Sequence, residues 1–228
     1  MTAAFYFDLA SPDAYLAAER ILGELPGPAQ WTPVLAHRLA DGVAPSDAGD
    51  RLGTGGGAGA GDPVRAGLAE GAGDRERIAR RARDLGLQEL RWPQPFPFDS
   101  TLAMRVATYA RQIGRVVAFS QAAFRQAFAG GRSLADEDSV LIAAAACEMH
   151  PAAVLAAAGM RSVIAELEQA TMGARASGVR GVPAVLVPGA GEGGGAAVFH
   201  GESSLAQAAA CMRRRSGVPG AGEARGRG

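Results

Sequence analysis

Lysine is absent from these 228 residues: all 23 basic side chains are arginine, balanced by 23 acidic ones. That absence rules out any lysine-based mechanism. The zero formal net charge gives no long-range attraction toward nucleic acid or an anionic membrane. Only two cysteines occur, Cys147 and Cys211, in the apolar runs VLIAAAACEM and LAQAAACM, where each reads as a small buried hydrophobe. There is no Cys-x-x-Cys, so neither a redox dithiol nor a zinc site is signalled. His37, His150 and His200 lack ligand spacing, and no metal is expected. No uncharged apolar run is long enough to span a bilayer. The N-terminus carries no basic region ahead of an apolar stretch, so a protein without a leader, working in the cytoplasm, is expected.

What is present begins with FYFDLASPDAYLAAERI. A short aromatic strand (Phe5 to Asp8) runs into Ser11-Pro12 and then an apolar-periodic helix with Ala14, Ala18, Ile21, Leu22 and Leu25 at helical spacing. Ser11 suits the N-cap, and Pro12 suits the first helical position, where its missing N–H costs nothing. The helix stops at Pro26-Gly27-Pro28, and QWTPVL (30–35) reads as a second strand, parallel to the first. From about 41 to 73 the chain is Gly/Ala/Asp-rich, with GTGGGAGAGDP at its centre. Such a segment cannot bury enough to offset its ordering entropy, and a mobile loop is expected. It lacks the Gly-Lys-Ser/Thr ending of a phosphate cradle.

Helical periodicity dominates from there. DRERIARRARDLGL (74–87) is charged on most faces and reads as a solvated surface helix. Asp99 or Ser100 caps the next, with Leu102, Val106 and Tyr109 inward. Further helices are expected over 115–129, with Phe119, Ala123 and Phe124 facing the core, over 136–148, and just after Pro151. A longer one spans 160–178. GVRGVPAVLV (178–187) then gives a strand, AAVFHG (196–201) its hairpin partner, and SSLAQAAACMRRR a closing helix with a basic last turn. The predicted fold is α/β: a thioredoxin-like sheet domain made of residues 1–38 and 160–215. An all-helical insertion occupies 39–159, and a disordered tail 216–228.

A strand, a polar turn and a helix, followed much later by Val182-Pro183 before another strand, is the way thioredoxin-like folds build a thiol site. Where a redox enzyme would carry two cysteines, this chain has Ser11-Pro12-Asp13-Ala14. FYFDLASPDAYLAAERI, LRWPQPFPFDSTLAMRVA, GVRGVPAVLV and FHGESSL together resemble the 2-hydroxychromene-2-carboxylate isomerase family, which is close to kappa-class glutathione transferases and more distant from DsbA. The resemblance implies glutathione or another small thiol as cofactor, with its sulfur against Ser11. It implies a cis bond at Val182-Pro183, whose backbone pairs with the peptide-like ligand. It also implies contacts to the ligand amine near Glu202 and Ser203, the latter standing where relatives place an aspartate. The simpler readings stay open beside these: Ser11 as a plain N-cap, Pro183 as an ordinary strand opener, and Ser203 as a helix cap.

The chemistry is self-consistent. A free thiol has a pKa near ~8.5 and is mostly protonated at neutral pH. A hydroxyl hydrogen bond to a thiolate supplies roughly 1.5–3 kcal/mol, and a helix start up to about 1 kcal/mol more. These lower the thiol pKa by about one to two units. Ser11 is thus an activator of another molecule's sulfur and not itself a nucleophile. The expected activity is isomerisation of a small aromatic keto acid by reversible thiolate addition, with no net redox change. A kappa-type transferase and a redox-silent binding protein are the alternatives. The expected partners are the small aromatic acid and a second copy of the chain, as related proteins are often dimers.

Overall fold

The computed structural model describes residues 2–40, 72–201 and 203–216. Strand β1 (Ala3–Phe7) is followed by helix α1 (Pro12–Glu24) and strand β2 (Ala29–Pro33), which pairs parallel to β1 with Phe5 opposite Trp31. Strand β3 (Ala184–Val187) pairs antiparallel on the other side of β1, and β4 (Ala197–His200) antiparallel to β3. The sheet order is β2-β1-β3-β4. Between β2 and β3, the described residues form α2 (Ala36–Ala40), α3 (Ala72–Asp84), α4 (Thr101–Gln112), α5 (Val116–Phe128), α6 (Glu137–Ala145), α7 (Pro151–Ala158) and α8 (Arg161–Ala176). Helix α9 (Ser204–Ser216) follows β4. The sheet split by a helical insertion is therefore as the sequence predicts.

Of the stretch predicted to be a mobile loop, 41–71 lies outside the described residues. Ala72 and Gly73 instead begin α3, whose first turn carries Asp74 where the helix dipole favours an anion. Of the predicted tail, 217–228 lies outside the described residues, while Ser216 still belongs to α9.

Alternation along AAFYF gives β1 one wholly buried face, with Phe5 and Phe7 at 0% exposure. Those rings meet Trp31 edge-on at centroid distances of 5.0 and 5.6 Å. Phe7 also reaches Phe124 of α5 at 6.0 Å, and Tyr15 of α1 lies 6.1 Å from the same ring. The sheet, α1 and the insertion thus share one aromatic core. On α1 the inner face is carried by Ala14, Ala18, Ile21 and Leu25, whereas Leu22 is 68% exposed. Residues Ala14 to Ala18 are all buried, whereas beyond them Ile21 alone in the helix is. Toward its C-terminal end α1 thus buries a narrower strip, and Leu22, about 100° around from Ile21, falls outside it.

Two further expectations are refined. Helix α3 is not solvated all round: Ile78 and Ala82, one turn apart, are fully buried, and the helix packs on α1. Helix α4 buries Val106 as predicted, but Leu102 and Tyr109 only in part; Ala103, Met104, Ala107 and Ala110 lie deeper. It touches β2, α5, α6, α7 and α8 and is central to the insertion, so no single apolar stripe describes it. Helix α2 has no counterpart in the sequence prediction, being a five-residue turn too short to show periodicity.

Phe124 is the ring that joins insertion to sheet domain. Phe124→Ala is expected to lower unfolding free energy by about 3–5 kcal/mol in chemical denaturation; a loss below about 1 kcal/mol would contradict this shared core.

Candidate functional site

An aspartate closes the aromatic strand. Asp8 is 2% exposed, and a carboxylate in that setting must find donors. It finds three: Oδ1 accepts from Ala10 N–H at 3.0 Å and from the Ser100 hydroxyl at 2.7 Å, and Oδ2 accepts from Ala36 N–H at 2.9 Å. One side chain thereby fixes the turn after β1, the start of α2 and the start of α4. Ser100 occupies the N-cap position of α4 without capping it, because its hydroxyl serves Asp8; Asp99 Oδ1 takes the Thr101 N–H instead, at 2.8 Å. Leu9 N–H meets Met104 Sδ at 3.3 Å, a second tie between the turn and α4.

Within that pinned turn, Ser11 N–H donates to the Asp8 carbonyl at 3.0 Å, and Ser11 caps α1 by accepting from Ala14 N–H at 3.2 Å. Pro12 is at the first helical position. Ser11 is 2% exposed. Its cap bond uses an oxygen lone pair and leaves the hydroxyl hydrogen to be donated elsewhere. A cap of this kind sits where backbone N–H groups and the helix dipole favour an anion.

Sheet register decides which other segments lie near it. Ala184 pairs with Tyr6 on one side and His200 on the other. The segments just beyond that row therefore emerge at one end of the sheet: 8–11 after β1, 181–183 before β3, and the stretch that opens at Gly201 after β4. The Val182–Pro183 bond is cis, Val182 is partly exposed and Pro183 is buried. The Pro183 carbonyl accepts from Gly201 N–H at 2.9 Å, which ties the second loop to the third. Gly201 has φ of 73°, a conformation that favours glycine.

The predicted ligand contacts after β4 fare differently. Glu202 lies outside the described residues. Ser203 is exposed, and with Arg20, Arg81 and Ala206 it lines a hollow of about 480 Å³. Arg20 is paired with Glu24 at 2.5 Å. Where the family resemblance implies a carboxylate facing a ligand amine, Ser203 is thus flanked by guanidinium groups. Both cysteines are buried and free, and burial pushes the Cys147 thiol up from its ordinary value. Among the described residues no cluster of His, Cys, Asp and Glu is arranged to hold a metal, and no helix is long and apolar enough to cross a membrane.

Two residues of this end were missed from sequence. His200 closes β4; its Nε2 accepts the Arg180 N–H at 3.1 Å, and lost hydration together with the Arg180 cation lowers its pKa. Asp8 is the more consequential omission, and its signal was legible: a carboxylate ending a wholly apolar strand needs a built set of donors. Burial raises its pKa, opposed by the Ala10 and Ala36 N–H groups, the Ser100 hydroxyl and the positive field of His37.

A family model for the DsbA-like thioredoxin domain matches residues 61–213. The chain belongs to that family. No curated protein is significantly similar to it in sequence. Among solved structures, a 2-hydroxychromene-2-carboxylate isomerase superposes with a TM-score of 0.70 at 16% identity, covering 95% of this chain and 96% of that one. A probable DsbA oxidoreductase from Streptomyces coelicolor gives 0.69 at 18% identity, covering 95% and 90%. The cytosolic disulfide reductase DsbM from Pseudomonas aeruginosa, solved with GSH, gives 0.58 at 14% identity, covering 95% and 98%. At such identities the likeness establishes the fold, which is the thioredoxin-like DsbA fold.

Since the Asp8 carboxyl titrates above its unfolded value of 3.8, its pH-dependent stabilisation is complete below that value. It is lost as pH rises through the raised folded one. Asp8→Asn also leaves a buried N–H facing an amide hydrogen, costing roughly 1–3 kcal/mol. Denaturation of both proteins from pH 3 to 8 should show the wild-type advantage shrinking as pH rises. An advantage that grows with pH would contradict the raised value.

Proposed function

We propose that this member of the DsbA-like thioredoxin family binds a small thiol against Ser11 and isomerises a small aromatic keto acid of the 2-hydroxychromene-2-carboxylate type. The observation that carries the reading is the Ser11 hydroxyl. It stands at the N-cap of α1, where the oxidoreductases of this fold place a cysteine, with its oxygen engaged by Ala14 N–H and its hydrogen uncommitted. Ala14 is fully buried at the position of the second cysteine, so a disulfide cycle has no place here.

A bound thiol supplies a sulfur nucleophile that adds reversibly to a carbon–carbon double bond and leaves again after rotation, with no net oxidation. The Ser11 O–H donates to the sulfur and favours its ionised form, and the first-turn N–H groups of α1 reinforce that preference. The Asp8 bonds keep the donor in place while the ligand exchanges. The Val182 backbone, partly exposed beside the turn, offers a peptide-like ligand an extended edge to pair with. The reducing cytoplasm, which keeps thiols at high concentration, is the setting that suits this chemistry.

Ser11 suits the sulfur end of glutathione, whereas among the described residues no carboxylate lines the hollow at the amine end. Ser203 brings no charge there, and Arg20 and Arg81 share the hollow. That specific observation favours a second reading, in which the physiological thiol ends in an anion or a neutral group and lacks an ammonium.

Calorimetric titration with reduced glutathione, followed by absorbance near 240 nm, tests the proposal. Binding should raise thiolate absorbance at pH 7. Ser11→Ala should lose most of that rise while remaining folded, at a cost of about 1 kcal/mol for the missing cap. An absorbance rise that is unchanged in Ser11→Ala would overturn the role given to the hydroxyl. Absence of binding at millimolar glutathione would move the reading to the differently ended thiol.

A further inference from the structure

The sequence offers 23 basic residues, all arginine, as possible holders of an acidic substrate, and one of them stands apart in the structure. The guanidinium carbon of Arg75 lies 5.1 Å from the centroid of Trp92 and 5.6 Å from that of Phe96. The two rings are themselves in edge contact at 5.0 Å. Arg75 is half-buried, and among the described residues no hydrogen bond or ion pair engages it. Its neighbours on α3 differ: Arg77 is held by both oxygens of Asp13 at 3.0 and 3.2 Å. A guanidinium held by ring faces keeps its planar edge of N–H donors uncommitted, the geometry that a carboxylate engages in two parallel bonds.

The position matters as much as the chemistry. The Arg77–Asp13 pair sets the first turns of α3 on the first turn of α1, two residues past Ser11. From the other side, Phe128 stacks on Tyr15 of α1 at 5.6 Å and meets Trp92 and Phe96 at 6.2 Å each. An aromatic wall carrying Arg75 therefore packs on α1 through Tyr15, about one turn past Ser11.

We propose that Arg75, Trp92 and Phe96 form a clamp for a planar aromatic carboxylate, the ring packing against Trp92 and Phe96 and the carboxylate taking the free edge of Arg75. This deepens the isomerase reading, on which it rests for the identity of the ligand as substrate, by naming the residues that select it. Binding at the clamp requires no thiol, so it is separable from the chemistry at Ser11.

The experiment is calorimetric titration, without any thiol, of the full chain with 2-naphthoate and with its neutral counterpart 2-naphthamide. Wild type should bind the acid about tenfold or more tightly than the amide. Arg75→Gln should weaken the acid by about ten- to a hundredfold, the worth of a charge-assisted pair, and leave the amide unchanged. Arg132→Gln, a change at an exposed arginine outside the clamp, should do neither. Arg75→Lys, which keeps a cation over the rings without the fork, should fall between wild type and Arg75→Gln and guards against a folding artefact. Equal affinity for acid and amide, an Arg75→Gln protein that binds the acid like wild type, or no binding of the acid to wild type would each overturn the clamp. None of these outcomes bears on glutathione absorbance at Ser11, so failure of the clamp and failure of the thiol site are distinguishable.

Discussion

A buried carboxylate cannot be left without donors, and the satisfaction of Asp8 is the constraint on which this site depends. Its partners come from three segments far apart in sequence: the turn after β1, the start of α2 and the start of α4. Losing any one leaves a polar atom uncompensated in a low-dielectric surrounding, at roughly 1–3 kcal/mol. The carboxylate therefore acts as a three-way pin between sheet and insertion. The turn it holds is the one that presents Ser11, so the position of the hydroxyl follows from the need to satisfy Asp8.

The same end of the sheet shows how a redox fold is kept while the redox pair is lost. A helix start, a cis Val182–Pro183 bond and a glycine-led loop after β4 are all in place. What differs is the atom at the cap, an oxygen that is inert to oxidation under cellular conditions and able to donate. A hydroxyl can favour a sulfur anion without joining it covalently, and this is the physical basis for proposing isomerisation over disulfide exchange. Around this centre the far ends of the site are chemically distinct. The hollow by Ser203 is flanked by arginines, and the wall by Tyr15 and Phe128 is aromatic, with Arg75 over its Trp92 and Phe96 rings.

Much of the fold was legible because its signals are local. Ser11-Pro12 announces a capped helix, Pro26-Gly27-Pro28 stops it, and GVPAVLV with AAVFH reads as a hairpin whatever surrounds it. The errors arise where burial is set by several neighbours at once. Leu22 lies about 100° around the helix from Ile21, at the end of α1 where only a narrow strip is covered. Leu102 and Tyr109 sit on a helix enclosed from many sides, and Ile78 gives a charged helix a docking stripe that only its packing on α1 reveals. Within the site, Ser11 and Pro183 stand out because their residue types fit special backbone positions. Asp8, Ser100 and Arg75 do not, since their meaning lies in contacts 28 to 92 residues away for Asp8 and in ring faces that no spacing rule brings together.

The most direct test is the pKa of the thiol in the glutathione complex, read from absorbance near 240 nm between pH 4 and 10 in wild type and in Asp8→Asn. The bound thiol should titrate about one to two units below its solution value in wild type. In Asp8→Asn, which retains Ser11 but weakens the hold on the turn by mismatching one of the three donors, it should move back toward the solution value. A bound thiol whose pKa is the same in both proteins would contradict the claim that the Asp8 pin sets the donor geometry of Ser11.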